Sequence, residues 1–155
     1  MLGPMDVRLR PPSKADDDFI VEMARYACVI EDRPLPEPDS EETQSMLPGT
    51  GDVVVVATDA TGRRLGAAWT FHHDPPLLVA AIPELTIAVA PEFRGEGVGG
   101  MLLDELVIRC TGRYGAIGLN VHVRNPAARL YERKGFQLVG QGRGALGLAM
   151  RKQLD

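Results

Sequence analysis

Seven consecutive residues, Arg94-Gly95-Glu96-Gly97-Val98-Gly99-Gly100, carry the chemistry most open to reading in this chain. An apolar run, Leu85-Thr86-Ile87-Ala88-Val89, precedes them; its length and β-branched residues predict a strand, which Pro91 stops. After them Val98, Leu102, Leu106 and Cys110 recur four apart, with Leu103 and Val107 beside them and Asp104, Glu105 and Arg109 on other faces. That spacing predicts an amphipathic helix. A strand, a glycine-rich turn and a helix together aim bare backbone N–H groups at an anion, and the helix dipole adds about half a positive charge there. Glycines suit the turn because side chains would hold the anion away from the backbone.

Two glycine loops fit this stretch poorly. A P-loop ends in Gly-Lys-Ser/Thr, whereas Met101 follows Gly100 here. The dinucleotide fingerprint G-x-G-x-x-G matches at Gly95, Gly97 and Gly100, but residues 91–94 separate it from the strand. No carboxylate stands near Leu119 and Asn120, about 20 positions on, to hold a ribose, so a nucleotide-binding oxidoreductase is disfavoured. A third template does fit: Arg94, Gly97 and Gly99 form Q/R-x-x-G-x-G/A, which resembles the acetyl-CoA pyrophosphate loop of the GNAT superfamily of N-acetyltransferases.

A second segment strengthens the resemblance. In NPAARLYERKGF, residues 125–136, Asn125 is a good N-cap and Pro126 a good first helical residue. Arg133 and Lys134 suit the helix C-terminus, and Gly135 the left-handed cap. The pattern Asn-Pro-Ala-x-x-Leu-Tyr-x-x-x-Gly-Phe, one strand after R-x-x-G-x-G, is more specific than either motif alone. The resemblance covers nearly the whole chain; it is strongest over residues 83–140 and loose before Asp52.

What the resemblance implies is an acetyl-CoA-dependent N-acetyltransferase that moves an acetyl group to a primary amine of a small molecule or peptide, by direct attack on the thioester. In such a protein the pantetheine chain adds to the central strand at Ile87, Ala88 and Val89. The pyrophosphate reaches the amides of Arg94, Gly95, Glu96, Gly97, Val98 and Gly99, with Arg94 either approaching the phosphates or bracing the loop. Asn125 and Ala128 line the pantetheine arm. By the same resemblance Glu84 is the base, directly or through a water, the Val89 amide serves the oxyanion, and Tyr131 protonates the leaving thiolate. A free thiol has a pKa of about 8.5 and a tyrosine about 10, so that transfer is feasible. The rival from another class is a non-catalytic acyl-CoA-binding or sensing module on the same fold; the presence of both Glu84 and Tyr131 speaks against it.

The remaining elements must position these residues. Val7 and Leu9 predict a short first strand, and Ile20, Met23, Ala24 and Ala27 a helix from the Ser13–Asp18 region to about Ile30. Asp16, Asp17 and Asp18 read as its solvated first turn, and residues 1–5 as a frayed leader. Residues 31–42 hold three prolines and six carboxylates, an exposed connection before a short helix at about 41–47. Residues 53–57 and 65–71 form a hairpin with Trp69 in it; residues 116–123, 137–140 and 145–150 give further strands. The fold class expected is α/β: one GNAT-type domain over residues 1–155, with a mixed sheet of six to seven strands, about four helices and a splay between the central parallel strands. The acceptor pocket falls to residues 32–47 and 72–82.

Composition sets outer bounds. A net charge of −4 argues against a broad nucleic-acid-binding face. No apolar run reaches membrane-spanning length and residues 1–15 lack a signal-peptide pattern, so a cytoplasmic protein is expected. Cys28 and Cys110 sit in helical patterns and read as buried thiols. His72, His73 and Asp74 adjoin, but without further spaced ligands no metal is expected. Homodimerisation is left open.

Overall fold

Seven apolar or alternating runs become seven strands of one sheet in the computed structural model, which describes residues 6–29 and 34–154. They are β1 (Arg8–Arg10), β2 (Val54–Thr58), β3 (Arg64–Phe71), β4 (Glu84–Val89), β5 (Ala116–His122), β6 (Gln137–Gln141) and β7 (Gly147–Gln153). The helices are α1 (Asp17–Ala27), α2 (Glu41–Gln44), α3 (Val98–Cys110) and α4 (Ala127–Arg133). The strand order is β1-β2-β3-β4-β5-β7-β6, with β4 and β5 parallel and every other pair antiparallel. The expected mixed sheet and four helices are present. The expected leader over residues 1–5 and the readings of Ile30, Glu31 and Asp32 lie outside the described residues.

The four-residue spacing of α3 does what its periodicity demands. Val98, Leu102, Leu103, Leu106 and Cys110 are all buried and α3 packs on β2, β3 and β4. Helix α1 buries Ile20, Met23 and Ala24 and lies against β3 and β4. Cys110 is fully enclosed, and burial pushes its thiol up to about 11. Cys28 is only half-buried.

One expectation fails at the entry to α1. Asp17 and Asp18 are exposed, but Asp16 is fully buried. Arg10 grips both its oxygens at 2.8 and 2.9 Å, Arg64 Nε donates to Oδ1 at 2.7 Å, and the Ser13 amide donates to Oδ2 at 2.7 Å. The Arg10 hydrogen bonds hold the carboxyl well below the usual carboxylate range, helped by Ser13 and Arg64. The cluster ties β1 and β3 to the start of α1.

The parallel pair opens almost at once. β4 and β5 are in register only at Glu84 opposite Gly118, where the Gly118 amide donates to the Pro83 carbonyl at 3.0 Å. Backbone groups alternate sides along a strand. The Ala90 amide donates to Leu65 of β3 at 2.9 Å, so Ala88 and Thr86 also face β3. Beyond that bridge, Ile87 and Val89 therefore turn their N–H and C=O groups toward the opening.

Candidate active site

The glycine-rich turn forms at the end of that opened strand. Gly95 and Gly97 adopt φ of 84° and 83°, the left-handed region where a side chain is strained, and Gly97 begins α3. No side chain caps this helix start and its first turn holds no acidic residue, so its leading amides stay available. Residues 94–97 are exposed. The Arg94 side chain turns back: its Nε donates to the Val89 carbonyl at 3.2 Å and its guanidinium lies 5.6 Å from the Tyr26 ring centre. Here it braces the loop, and its hydrogen bond engages the Val89 carbonyl while the Val89 amide still faces the opening. The backbone of Ala88 faces β3 instead, so within the expected trio the groups turned to the opening are those of Ile87 and Val89.

The second motif stands beside the first. Asn125 Oδ1 accepts the Ala127 amide at 2.9 Å, so Asn125 caps α4, which starts one residue later than expected, with Pro126 as the boundary. The helix closes with a paired cap: the Phe136 amide donates to the Tyr131 carbonyl and the Gly135 amide to Glu132, both at 3.0 Å. The apolar contact that accompanies such a cap is here the Tyr131 and Phe136 rings, edge to face at 5.8 Å. The cap thus also fixes the ring of Tyr131. Burial pushes its phenol up to about 12. Lys134 bridges to Asp104 at 3.0 Å, and Leu130 lies 4.0 Å from where a side chain on Gly100 would start, so α4 is docked along the beginning of α3. Ala128 is half-buried and packs against the core.

At the other end of the opening, Glu84 is buried and both its oxygens are held by Arg143, Nη1 on Oε1 and Nη2 on Oε2, each at 2.5 Å. Sequence reasoning passed over Arg143 as a loop residue. Arg143 Nη2 also donates to the Pro75 carbonyl at 3.2 Å, and its backbone amide donates to Asn120 Oδ1 at 2.8 Å. Gly142 makes this approach feasible: a β-carbon there would fall 2.0 Å from Asn120 Oδ1 and about 3 Å from the Leu148 backbone. A glycine-flanked arginine in a hairpin loop was the available signal. Gly142→Ala is expected to displace Arg143 from Glu84 and to cost about 2 kcal/mol of stability, the middle of the range for overpacking; chemical denaturation of the variant measures it.

Glu84 and Arg143 border a cavity of about 290 Å³ that reaches Thr86 and Asn120 at the mouth of the opening. Glu42, Ser45 and Met46 line its far side, and His73 joins it to a smaller cavity of about 170 Å³ against Asp74 and Ala80. Both segments assigned to the acceptor pocket therefore border these spaces. Trp69 does not line them; it is fully buried, and its Nε1 donates to the Met46 carbonyl at 2.7 Å. His72 Nδ1 pairs with Asp52 at 3.3 Å, and His73 Nδ1 lies 3.1 Å from the Pro75 carbonyl. Among the described residues no three His, Cys, Asp or Glu side chains gather as metal ligands. No helix among them is long and apolar enough to cross a membrane.

Comparison with known proteins agrees with this geometry. The chain is 38% identical over 68 residues to the 5-NmdU N-acetyltransferase of Pseudomonas phage PaMx11, covering 43% of this chain and 47% of that one. It is 29% identical over 117 residues to the phosphinothricin N-acetyltransferase of Alcaligenes faecalis, covering 59% of each. The chain thus spans about half the length of these curated relatives. Among solved structures, it superposes with a TM-score of 0.73 on a GNAT superfamily phosphinothricin acetyltransferase from Sinorhizobium meliloti in complex with AcCoA, at 27% identity, covering 97% of this chain and 89% of that one. The sequence profile of the acetyltransferase (GNAT) domain matches residues 50–138, more than half of the chain. The open strand, the left-handed glycines at the start of α3 and this match together place the chain in the GNAT acetyltransferase family.

Proposed function

We propose that the protein transfers an acetyl group from acetyl-CoA to a primary amine on a small molecule or peptide. The observation that carries the reading is the opened β4 edge running into the uncapped start of α3, beside α4. The residues present fit the cofactor. Ile87 offers its backbone N–H and C=O, and Val89 its N–H, for an amide-bearing arm, and Gly95 to Gly99 offer amides for a diphosphate. When bound, acetyl-CoA supplies the activated acyl carbon and a thiol leaving group. The chain contributes the rest. The Val89 amide faces the opening, where charge develops on the acyl oxygen. Asn125 and Ala128 border the arm, and Tyr131 presents a phenol to the leaving sulfur. The acceptor enters through the cavity at Glu84, Thr86 and Arg143. Phosphinothricin and 5-NmdU, named for the relatives, make small amines the first acceptors to try.

One observation favours the second reading, an acyl-CoA-binding module without turnover: the carboxylate of Glu84 is already held by a guanidinium. A thiol-release assay decides between them. Acetyl-CoA is offered with polyamines, amino acids, aminoglycosides and N-terminal peptides, and amine-dependent release of CoA thiol is expected. Calorimetric binding of acetyl-CoA with no release across the panel would favour the module; no binding heat at all would end both readings.

A further inference from the structure

We propose that His73 is the group that takes the proton from the acceptor amine, and that Glu84 with Arg143 positions the cavity wall around it. This rests on the acetyltransfer reading above. The imidazole Nδ1 lies 3.1 Å from the Pro75 carbonyl. A carbonyl only accepts, so Nδ1 carries the hydrogen and the neutral ring leaves Nε2 with a bare lone pair. His73 lines both cavities and is half-buried. The same Pro75 carbonyl accepts from Arg143 at 3.2 Å, so one backbone oxygen sets the positions of both side chains.

Glu84 is built for a different task. The two parallel hydrogen bonds from Arg143 take the inward lone pair of each carboxylate oxygen. To accept an amine proton there, Glu84 would have to give up a charge-assisted bond in a buried place. The other charged or titratable groups bordering these cavities are Glu42 and Cys28 in the larger one and His72 and Asp74 in the smaller. Of these, His72 is directed to Asp52.

An ammonium acceptor gives one proton to Nε2, and its freed nitrogen pair forms the bond to the acyl carbon. The carbon–sulfur bond breaks and its electron pair leaves with sulfur. The new amide nitrogen loses a second proton, sulfur gains one beside the Tyr131 phenol, and the imidazolium returns its proton to solvent.

The test compares His73→Ala and Glu84→Gln on the best amine from the thiol-release panel, with kcat measured against pH. His73→Ala is expected to lower kcat about 100-fold, to shift the acidic limb of the profile up toward the amine's own ionisation, to regain rate when imidazole is added, and to bind acetyl-CoA unchanged. Glu84→Gln is expected to keep the acidic limb and to act mainly on the acceptor KM. That same shift of the limb in Glu84→Gln, or an unaltered rate and profile in His73→Ala, overturns the assignment. Nitrogen NMR of the wild-type ring gives a readout apart from turnover: Nδ1 protonated and Nε2 bare supports the proposal, and the opposite tautomer overturns it. A wild type whose ring has the expected tautomer but which transfers no acetyl group would sink the acetyltransfer reading, and this assignment with it.

Discussion

Tyr131→Phe is expected to lower kcat about 100-fold while leaving the dissociation constant for acetyl-CoA within about twofold. The change deletes one oxygen and keeps the ring, and the ring is what packs on Phe136. Ground-state contacts therefore survive, and the loss falls on the moment when sulfur acquires charge. The effect sits at the low end for acid catalysis because a thiolate is a competent leaving group without help, with a parent thiol pKa of about 8.5. Desolvation, which pushes the phenol up to about 12, has a second consequence. The group stays protonated across the whole working range, so titration of Tyr131 should contribute no alkaline fall in kcat up to about pH 10.5, half a unit above an ordinary tyrosine. It also makes complete proton transfer from Tyr131 harder than its ordinary value suggests, so the phenol acts chiefly as a hydrogen-bond donor to sulfur. Stopped-flow turnover and calorimetry on the variant check both statements. Equal losses in kcat and affinity would move Tyr131 from the chemistry to binding.

Asp16→Asn is expected to destabilise the fold by about 3 kcal/mol, the cost of breaking a buried ion pair. In a chain of this size that lowers the melting temperature by about 9 °C, at about 3 °C per kcal/mol. Two guanidinium groups, from Arg10 and Arg64, each about a third exposed, would be left beside a neutral amide, which keeps the loss at the low end for a broken pair. The pH dependence has a definite sign. The folded carboxyl is depressed below its ordinary value of 3.8, so its stabilisation is complete above about pH 5. It drains away as pH falls through 3.8 toward the depressed folded value. Wild type should lose stability over that acid range, and Asp16→Asn should lose less. Denaturant titrations at a series of pH values measure the difference, and parallel curves would show that the cluster contributes nothing.

Much of this was readable beforehand where the controlling interactions are local. The four-residue spacing in α3 is a property of one helix, and its left-handed start needs only Gly97. The cap of α4 likewise depends on neighbours, Asn125 at one end and Gly135 with Phe136 at the other. The misses share a different character. Asp16 looked like Asp17 and Asp18 because nothing nearby in sequence says that Arg64 will arrive from 48 positions away. Arg143 meets Glu84 across 59 positions, through a hairpin whose approach depends on the absent side chain of Gly142. Alternation along β4 groups Ile87 with Val89, but which set faces the opening is decided by the register with β3, and that is not written in β4 itself.

Trp69 is the only tryptophan of the chain, and its indole donates to the Met46 carbonyl at the rim of the larger cavity. The molecule therefore contains its own optical reporter. If an acceptor shifts the segment that carries Met46, that hydrogen bond lengthens and the emission colour of a single, otherwise enclosed fluorophore changes. A titration of candidate amines in a fluorimeter would then register occupancy of the acceptor side directly, without labels and before any product has formed.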